Sequence, residues 1–145
     1  MNTSPTAAEL SRWSDEVAIS SLLRSARTIA VYGLSTDPSK DSHRVAAYLQ
    51  RAGYSIIPIH PKAREILGVA CHASLATAPR ADIVDCFRPS DELSAIVDEA
   101  IAAKAGAVWF QFGLMDADAA RRAEAAGLTV IADRCAKVEH MRLIA

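Results

Sequence analysis

Cysteine is scarce in this chain and badly arranged for chemistry. There are three, Cys71, Cys86 and Cys135. An odd number without a CxxC pair supplies neither a disulfide framework nor zinc-ligand spacing. The expected reading is buried or idle thiols, because free cysteine packs as a small hydrophobe. His43, His60, His72 and His140 also lack metal-ligand spacing, so no metal is expected. A block of like charge is missing too. Sixteen basic residues stand against seventeen acidic ones, which leaves no basic footprint for nucleic acid and no charged tail. The apolar runs are all strand-length, far short of a membrane span. The N-terminus is polar and has no apolar signal core, so a cytoplasmic protein is the expectation.

What is present is apolar residue in quantity. Half of 145 residues (51%) are hydrophobic, enough for one domain with one core. Five short runs rich in Val and Ile stand out: Thr28–Leu34, Tyr54–Ile59, Ile83–Phe87, Ala107–Phe112 and Leu128–Ala132. They barely alternate, which suits strands buried on both faces of a parallel sheet. Helical periodicity fills the gaps, over Asp41–Ala52, Asp91–Lys104 and Asp116–Ala126, with a weaker helix over Leu75–Pro79. The three strong helices begin near Asp or Ser and stop at a glycine (Gly53, Gly106, Gly127), as cap preferences require. A helix over residues 6–26 precedes the first run, with Thr6 and Glu9 spaced as a capping box. Strand–helix alternation with short loops predicts an α/β, Rossmann-like, doubly wound parallel sheet of about five strands, in the order 3-2-1-4-5. The expected division is an N-terminal helical extension over 1–26 and the sheet domain over 27–145.

In an open α/β sheet, ligands bind beyond the carboxyl ends of the strands. The first run opens onto Gly33-Leu34-Ser35 and then Pro38, Lys40 and Ser42. A dinucleotide fingerprint would place further glycines in this stretch. Gly33 permits a tight turn and close backbone approach, and Ser35, Thr36, Ser39 and Ser42 carry hydroxyls. Against this, an Asp41 cap would compete with a bound phosphate. The second run ends in His60-Pro61-Lys62, where NAD binding wants an acid for the ribose. Lys62 and His60 suit a ribose phosphate instead, as in NADP or coenzyme A. The plainer alternative is that His60 caps a turn and Lys62 is merely solvated. Phe87-Arg88-Pro89 follows the third run, Gln111-Phe112-Gly113 the fourth, and "DRCAKVEH" from Asp133 to His140 the fifth. Lys40, Lys62, Arg88, Arg134 and Lys137 would then make one rim locally positive. The last segment either braces the fifth strand with salt bridges or presents Cys135 or Lys137 to a ligand. Asp85, inside an apolar run, is either a bonded buried carboxylate or an anchor behind the site. No acid–base pair or nucleophile elbow stands out.

Taken in order, Gly33-x-Ser35 with Pro38 and Lys40, "YSIIPIHPKAREILG", "VDCFRPSDE", "AVWFQFG" and "DRCAKVEH" resemble the small stand-alone coenzyme A-binding proteins. These in turn are similar to the coenzyme A-binding domain of the succinyl-CoA synthetase α subunit. The resemblance implies coenzyme A or an acyl-CoA as ligand. It implies Gly33, Leu34 and Ser35, with Lys40 and Ser42, near phosphate or pantetheine. Lys62 would meet the nucleotide phosphates, with His60 and Pro61 beside it in the site, Phe87, Arg88 and Pro89 would flank adenine or ribose, and Gln111, Phe112 and Gly113 would lie along the pantetheine arm. The synthetase's phosphohistidine domain and ATP-grasp partner have no counterpart in this sequence, so ligase chemistry is not expected. A carrier, a sensor and a subunit of an acyl-CoA enzyme all fit, as does a homodimer. The rival reading is an NADP-linked or Cys135-dependent enzyme.

Overall fold

The five runs become the five parallel strands of one sheet in the computed structural model, which describes residues 4–145. In chain order the elements are α1 (Ala7–Trp13), α2 (Glu16–Ser25), β1 (Thr28–Tyr32), α3 (Asp41–Arg51) and β2 (Ser55–Ile59). There follow a two-residue hairpin, β3 (Glu65–Ile66) and β4 (Val69–Ala70), then β5 (Ile83–Cys86), a 3₁₀ turn (Ser90–Glu92) and α4 (Leu93–Ala102). The chain ends with β6 (Ala107–Phe110), α5 (Ala117–Ala125), β7 (Thr129–Ala132) and α6 (Ala136–Leu143). The fold is the expected Rossmann-like α/β sheet flanked by helices.

The strand order is corrected. The sheet runs β2-β1-β5-β6-β7, which is 2-1-3-4-5 for the five runs and not 3-2-1-4-5. Pro58 supplies the physical reason. Its carbonyl faces the outer side of β2 and accepts the His72 N–H at 3.0 Å. A residue's N–H points the same way as its C=O in a strand, so the missing N–H of Pro58 lies on that outer edge. No full ladder can form there, and proline is confined to such edges. A single bridge from Ile59 to His72 covers the edge instead, and the third run pairs with the free side of β1.

Two further expectations change. The N-terminal helix over 6–26 is two helices. Thr6 and Glu9 do form the capping box of α1, but Asp15 accepts the Ala18 N–H and starts α2 afresh. The break lets Trp13 pack with α4 and α5 on one face of the sheet, while Ile19 and Leu23 pack with α3 and α6 on the other. The segment Leu75–Pro79 forms turns, not a helix; Thr77 bonds its side chain to the Ser74 carbonyl, the local alternative that competes with helix. On the α4 side, Ala117, Ala119, Ala120 and Ala123 of α5 are all fully buried, which explains its alanine-rich sequence: only small side chains let a helix sit that close. Glu9 links α1 to α5 through Arg121, with N···O distances of 2.7 and 2.8 Å. Those bonds, with a further one from the Thr6 N–H, hold its carboxyl down at about 2.

Candidate functional site

The order 2-1-3-4-5 puts the topological switch between β1 and β5. The crossover after β1 packs α3 on one face, and the crossover after β5 packs α4 on the other. Loops leaving these two strands diverge, which opens a crevice at their carboxyl ends. Two clefts occupy it. The smaller, about 410 Å³, is lined by Tyr32, Gly33, Leu34, Ser35, Ile59, His60, Pro61, Ala73, Arg88 and Glu92. The larger, about 750 Å³, lies between the start of α3, the ends of β5 and β6, and the start of α6.

Gly33 and the β5 loop divide the two. Gly33 has φ +91°, and a Cβ built there would lie 2.7 Å from Arg88 Cδ and 3.2 Å from the Phe87 carbonyl. Only glycine lets the two loops touch in this way. Phe87 turns its side chain to the larger cleft and Arg88 to the smaller. Arg88 is held by Glu92 in a two-pronged ion pair, at 3.1 and 2.9 Å. The pairing lowers the Glu92 carboxyl and raises the Arg88 guanidinium. An incoming phosphate would take Arg88 from a carboxylate, not from water.

The loop after β1 is braced by its own hydroxyls. Ser35 N–H donates to Ser42 Oγ at 2.9 Å, Asp37 N–H to Ser35 Oγ at 3.0 Å, and Ser39 N–H to Asp37 Oδ1 at 2.9 Å. Ser35 and Ser42 therefore shape the loop. The expected Asp41 cap is not made. Lys40 is the N-cap of α3 and lends no side chain to it, while Asp41 pairs with Arg44. The first turn of α3 thus keeps N–H groups free for an anion, and the objection that Asp41 would occupy them falls away. In the second loop the plainer reading of His60 is what is seen. His60 Nδ1 accepts the N–H groups of Lys62 and Ala63, at 3.0 and 2.8 Å, so the ring caps the turn. That bond fixes the ring proton on Nε2, and the ring lines the smaller cleft.

The cationic rim is weaker than the sequence suggested. Arg88 is bound to Glu92 and Arg134 to Glu139. Lys40 and Lys62 are exposed and line neither cleft. Lys137 lines the larger cleft, with its ammonium 5.7 Å from the Tyr48 ring centroid. Of the other expected site residues, Gly33, Leu34, Ser35, His60, Pro61 and Arg88 share the smaller cleft, and Phe87, Gln111 and Phe112 share the larger. Gly113, at φ +89°, donates its N–H to Asp133 Oδ1 at 3.2 Å and so ties the β6 and β7 loops together.

The segment from Asp133 to His140 is braced by salt bridges, as the first reading of it has it. Glu139 is almost wholly buried and accepts from Arg134 and Arg142, at 3.1 and 2.9 Å. Trp109 Nε1 donates to the Arg134 carbonyl at 2.8 Å. These bonds fix the start of α6, whose Cys135, Lys137, Val138 and Glu139 form one wall of the larger cleft. Sequence reasoning missed Arg44, Val45, Leu114 and Val138 as cleft residues. The last three look like ordinary core or surface apolar residues in a periodicity, and nothing local marks them. Beneath this wall Asp85 is fully buried, and neither carboxylate oxygen has a hydrogen-bond partner. Burial raises its pKa well above the usual carboxylate range, which favours the protonated form. Asp85 is not the bonded carboxylate of the first expectation. Among the described residues no cluster of His, Cys, Asp and Glu could hold a metal ion, and no helix is long and apolar enough to cross a membrane.

Comparison with known proteins gives one consistent result. The profile of a family described as "CoA binding domain" matches residues 27–141. The protein YneT of Bacillus subtilis (strain 168) is 40% identical over 123 residues, covering 84% of this chain and 91% of YneT. A hypothetical protein from Pyrococcus horikoshii OT3 superimposes over the full length of both chains, with a TM-score of 0.88 and 32% identity. The dinucleotide-forming acetyl-coenzyme A synthetase 1 of Ca. Korarchaeum cryptofilum contains a similar region. Its TM-score is 0.63 at 26% identity, over 70% of this chain and 24% of the synthetase.

Proposed function

Because the chain belongs to the CoA binding domain family, we propose that it binds coenzyme A, or an acyl-CoA, across the two clefts at the carboxyl edge of its sheet. The observation that carries this reading is the Gly33–Arg88 contact, which stands at the switch point between a cleft of about 410 Å³ and one of about 750 Å³. In the proposed pose the nucleotide occupies the smaller cleft. Its phosphates meet the Gly33–Ser35 backbone, the open first turn of α3, His60 Nε2–H and Arg88. Lys62, just outside the cleft, reaches the ribose 3′-phosphate, with Lys40 nearby on the first loop. Arg88 flanks adenine or ribose, and the pantetheine arm passes Phe87, Gln111, Phe112 and Gly113 into the larger cleft. The role proposed is a holder of coenzyme A: a cytoplasmic carrier, sensor or subunit of an acyl-CoA enzyme. The synthetase region supports the last of these, since there a similar fold forms about a quarter of a larger chain.

Thermal shift with coenzyme A, dephospho-coenzyme A, NADP and ATP tests the reading. Coenzyme A is expected to raise the melting temperature, and removal of the 3′-phosphate to reduce the rise. Lys62→Ala is expected to weaken coenzyme A by about 1.5–3 kcal/mol, the range for a hydrogen bond to a charged group, and to leave dephospho-coenzyme A unchanged. A larger shift with NADP than with coenzyme A would favour the dinucleotide enzyme instead.

A further inference from the structure

Gln111 closes β6 with a side chain only 6% exposed, yet it lines the larger cleft. Its Oε1 accepts the Ala136 N–H at 3.1 Å. That bond decides which end of the carboxamide is oxygen. It leaves the Nε2 amide without an acceptor among the described residues, on the wall of the cleft. Beside it begins α6, eight residues long, whose N-cap Cys135 contributes no side-chain hydrogen bond. The N–H groups of Lys137 and Val138 therefore have no intrahelical acceptor, and both residues line the same cleft. Three neutral donors thus border one cavity.

The lining also carries five large apolar side chains, Val45, Phe87, Phe112, Leu114 and Val138, beside the charged Asp41, Arg44, Asp133, Arg134, Lys137 and Glu139. Phe112 and Val138 are large hydrophobic side chains left 74% and 54% exposed, on the lip of the cavity. Charges around the mouth are largely matched, Arg44 with Asp41 and Arg134 with Glu139. Such a pocket suits a group with one strong acceptor and a hydrocarbon body. Free coenzyme A, which would end here in a thiol, offers a poor acceptor and no hydrocarbon.

We propose that the larger cleft is an acyl pocket: Gln111 Nε2 and the first-turn amides of α6 donate to a thioester carbonyl oxygen, and an uncharged aliphatic chain lies along Val45, Leu114 and Val138. The proposal rests on the coenzyme A reading above and adds the substrate class: short to medium, uncharged acyl-CoA in preference to free coenzyme A. A carboxylate-terminated acyl group has no such advantage, because the cations at the mouth, Lys137 apart, already hold carboxylates.

Calorimetry on the full chain with coenzyme A and its acetyl, butyryl, hexanoyl and succinyl thioesters tests it. Burial of a methylene strengthens binding about fourfold, so hexanoyl-CoA is expected to bind at least tenfold more tightly than coenzyme A, with butyryl-CoA between. Succinyl-CoA is expected to show no gain. Val138→Asp, at an exposed position, should flatten the series. Gln111→Leu should remove the gain of acetyl-CoA over coenzyme A. Val17→Asp, on the exposed face of α2, should change nothing. Binding of coenzyme A with equal affinity across the series overturns the acyl pocket and leaves the coenzyme A reading intact. Failure of every member to bind overturns both.

Discussion

Asp85→Val is expected to stabilise the protein, by about 1–3 kcal/mol near pH 4, the usual penalty of an unsatisfied buried polar group, and by more at neutral pH. Asp85 lies in the middle of β5, in register with Val31 on one side and Trp109 on the other. It is fully buried, and both oxygens lack partners. Valine fits a strand buried on both faces and has no polar atom to orphan. The gain should depend on pH with a definite sign. In the unfolded chain this carboxyl loses its proton near pH 4, whereas burial keeps it protonated in the folded state to much higher pH. Folding therefore retains a proton over that interval, and the group's contribution becomes less favourable as pH rises from about 4. The advantage of Asp85→Val should be smaller at pH 4.5 than at pH 8. Glu9, held low by Arg121, has the opposite dependence, but it is common to both proteins and cancels. Urea denaturation of the two proteins at both pH values measures this directly. Destabilisation, or an equal gain at both pH values, would show that the carboxyl has a partner in solution.

The second large effect is expected at Gly33. Gly33→Ala places a Cβ at φ +91° and within 2.7 Å of Arg88 Cδ. The backbone conformation alone costs about 1–3 kcal/mol in a residue other than glycine. The contact forces Arg88 away from Glu92 and spoils the junction of the two clefts, so coenzyme A binding should be lost along with stability. The double variant Gly33→Ala with Arg88→Ala separates the two causes. Removing Cδ relieves the nearer contact but leaves the Phe87 carbonyl at 3.2 Å and the strained φ. Stability is expected to recover in part and binding not at all. Full recovery of stability would mean the backbone strain is negligible, and undiminished binding in Gly33→Ala would place the ligand elsewhere.

Much of the fold is legible in the sequence, and what is not has identifiable physical causes. The five runs announced themselves because strands buried on both faces cannot afford polar residues, and the glycines after the helices marked their ends. The strand order was misjudged although Pro58 carried the signal: a proline inside a strand belongs at an edge, and β2 is an edge. The break at Ser14–Asp15 was hidden because Asp15 is a good cap set within an otherwise continuous apolar periodicity. Polar residues at the ends of strands pointed to the crevice, since chain direction alone puts those ends on one side of a parallel sheet. How they divide between two clefts was not legible, because it depends on the approach of Gly33 to Arg88, 55 positions apart, and on which side each loop leaves the sheet. Ion pairing of Arg88 and Arg134 was invisible for the same reason. Glu92 and Glu139 stand close in sequence, but only the fold decides whether a cation faces a ligand or its neighbour. The open donor of Gln111 likewise depends on the start of α6 lying against the end of β6.

Nitrogen-15 correlation spectra of the labelled protein, recorded while coenzyme A is added, test the central claim most directly. The account predicts saturable shifts at the amides of Gly33, Ser35, Ser42, Lys62, Arg88 and Gly113, together with Lys137 and Val138 at the start of α6. Shifts confined to the opposite, amino-end loops of the sheet, or no shifts at millimolar coenzyme A, would contradict it.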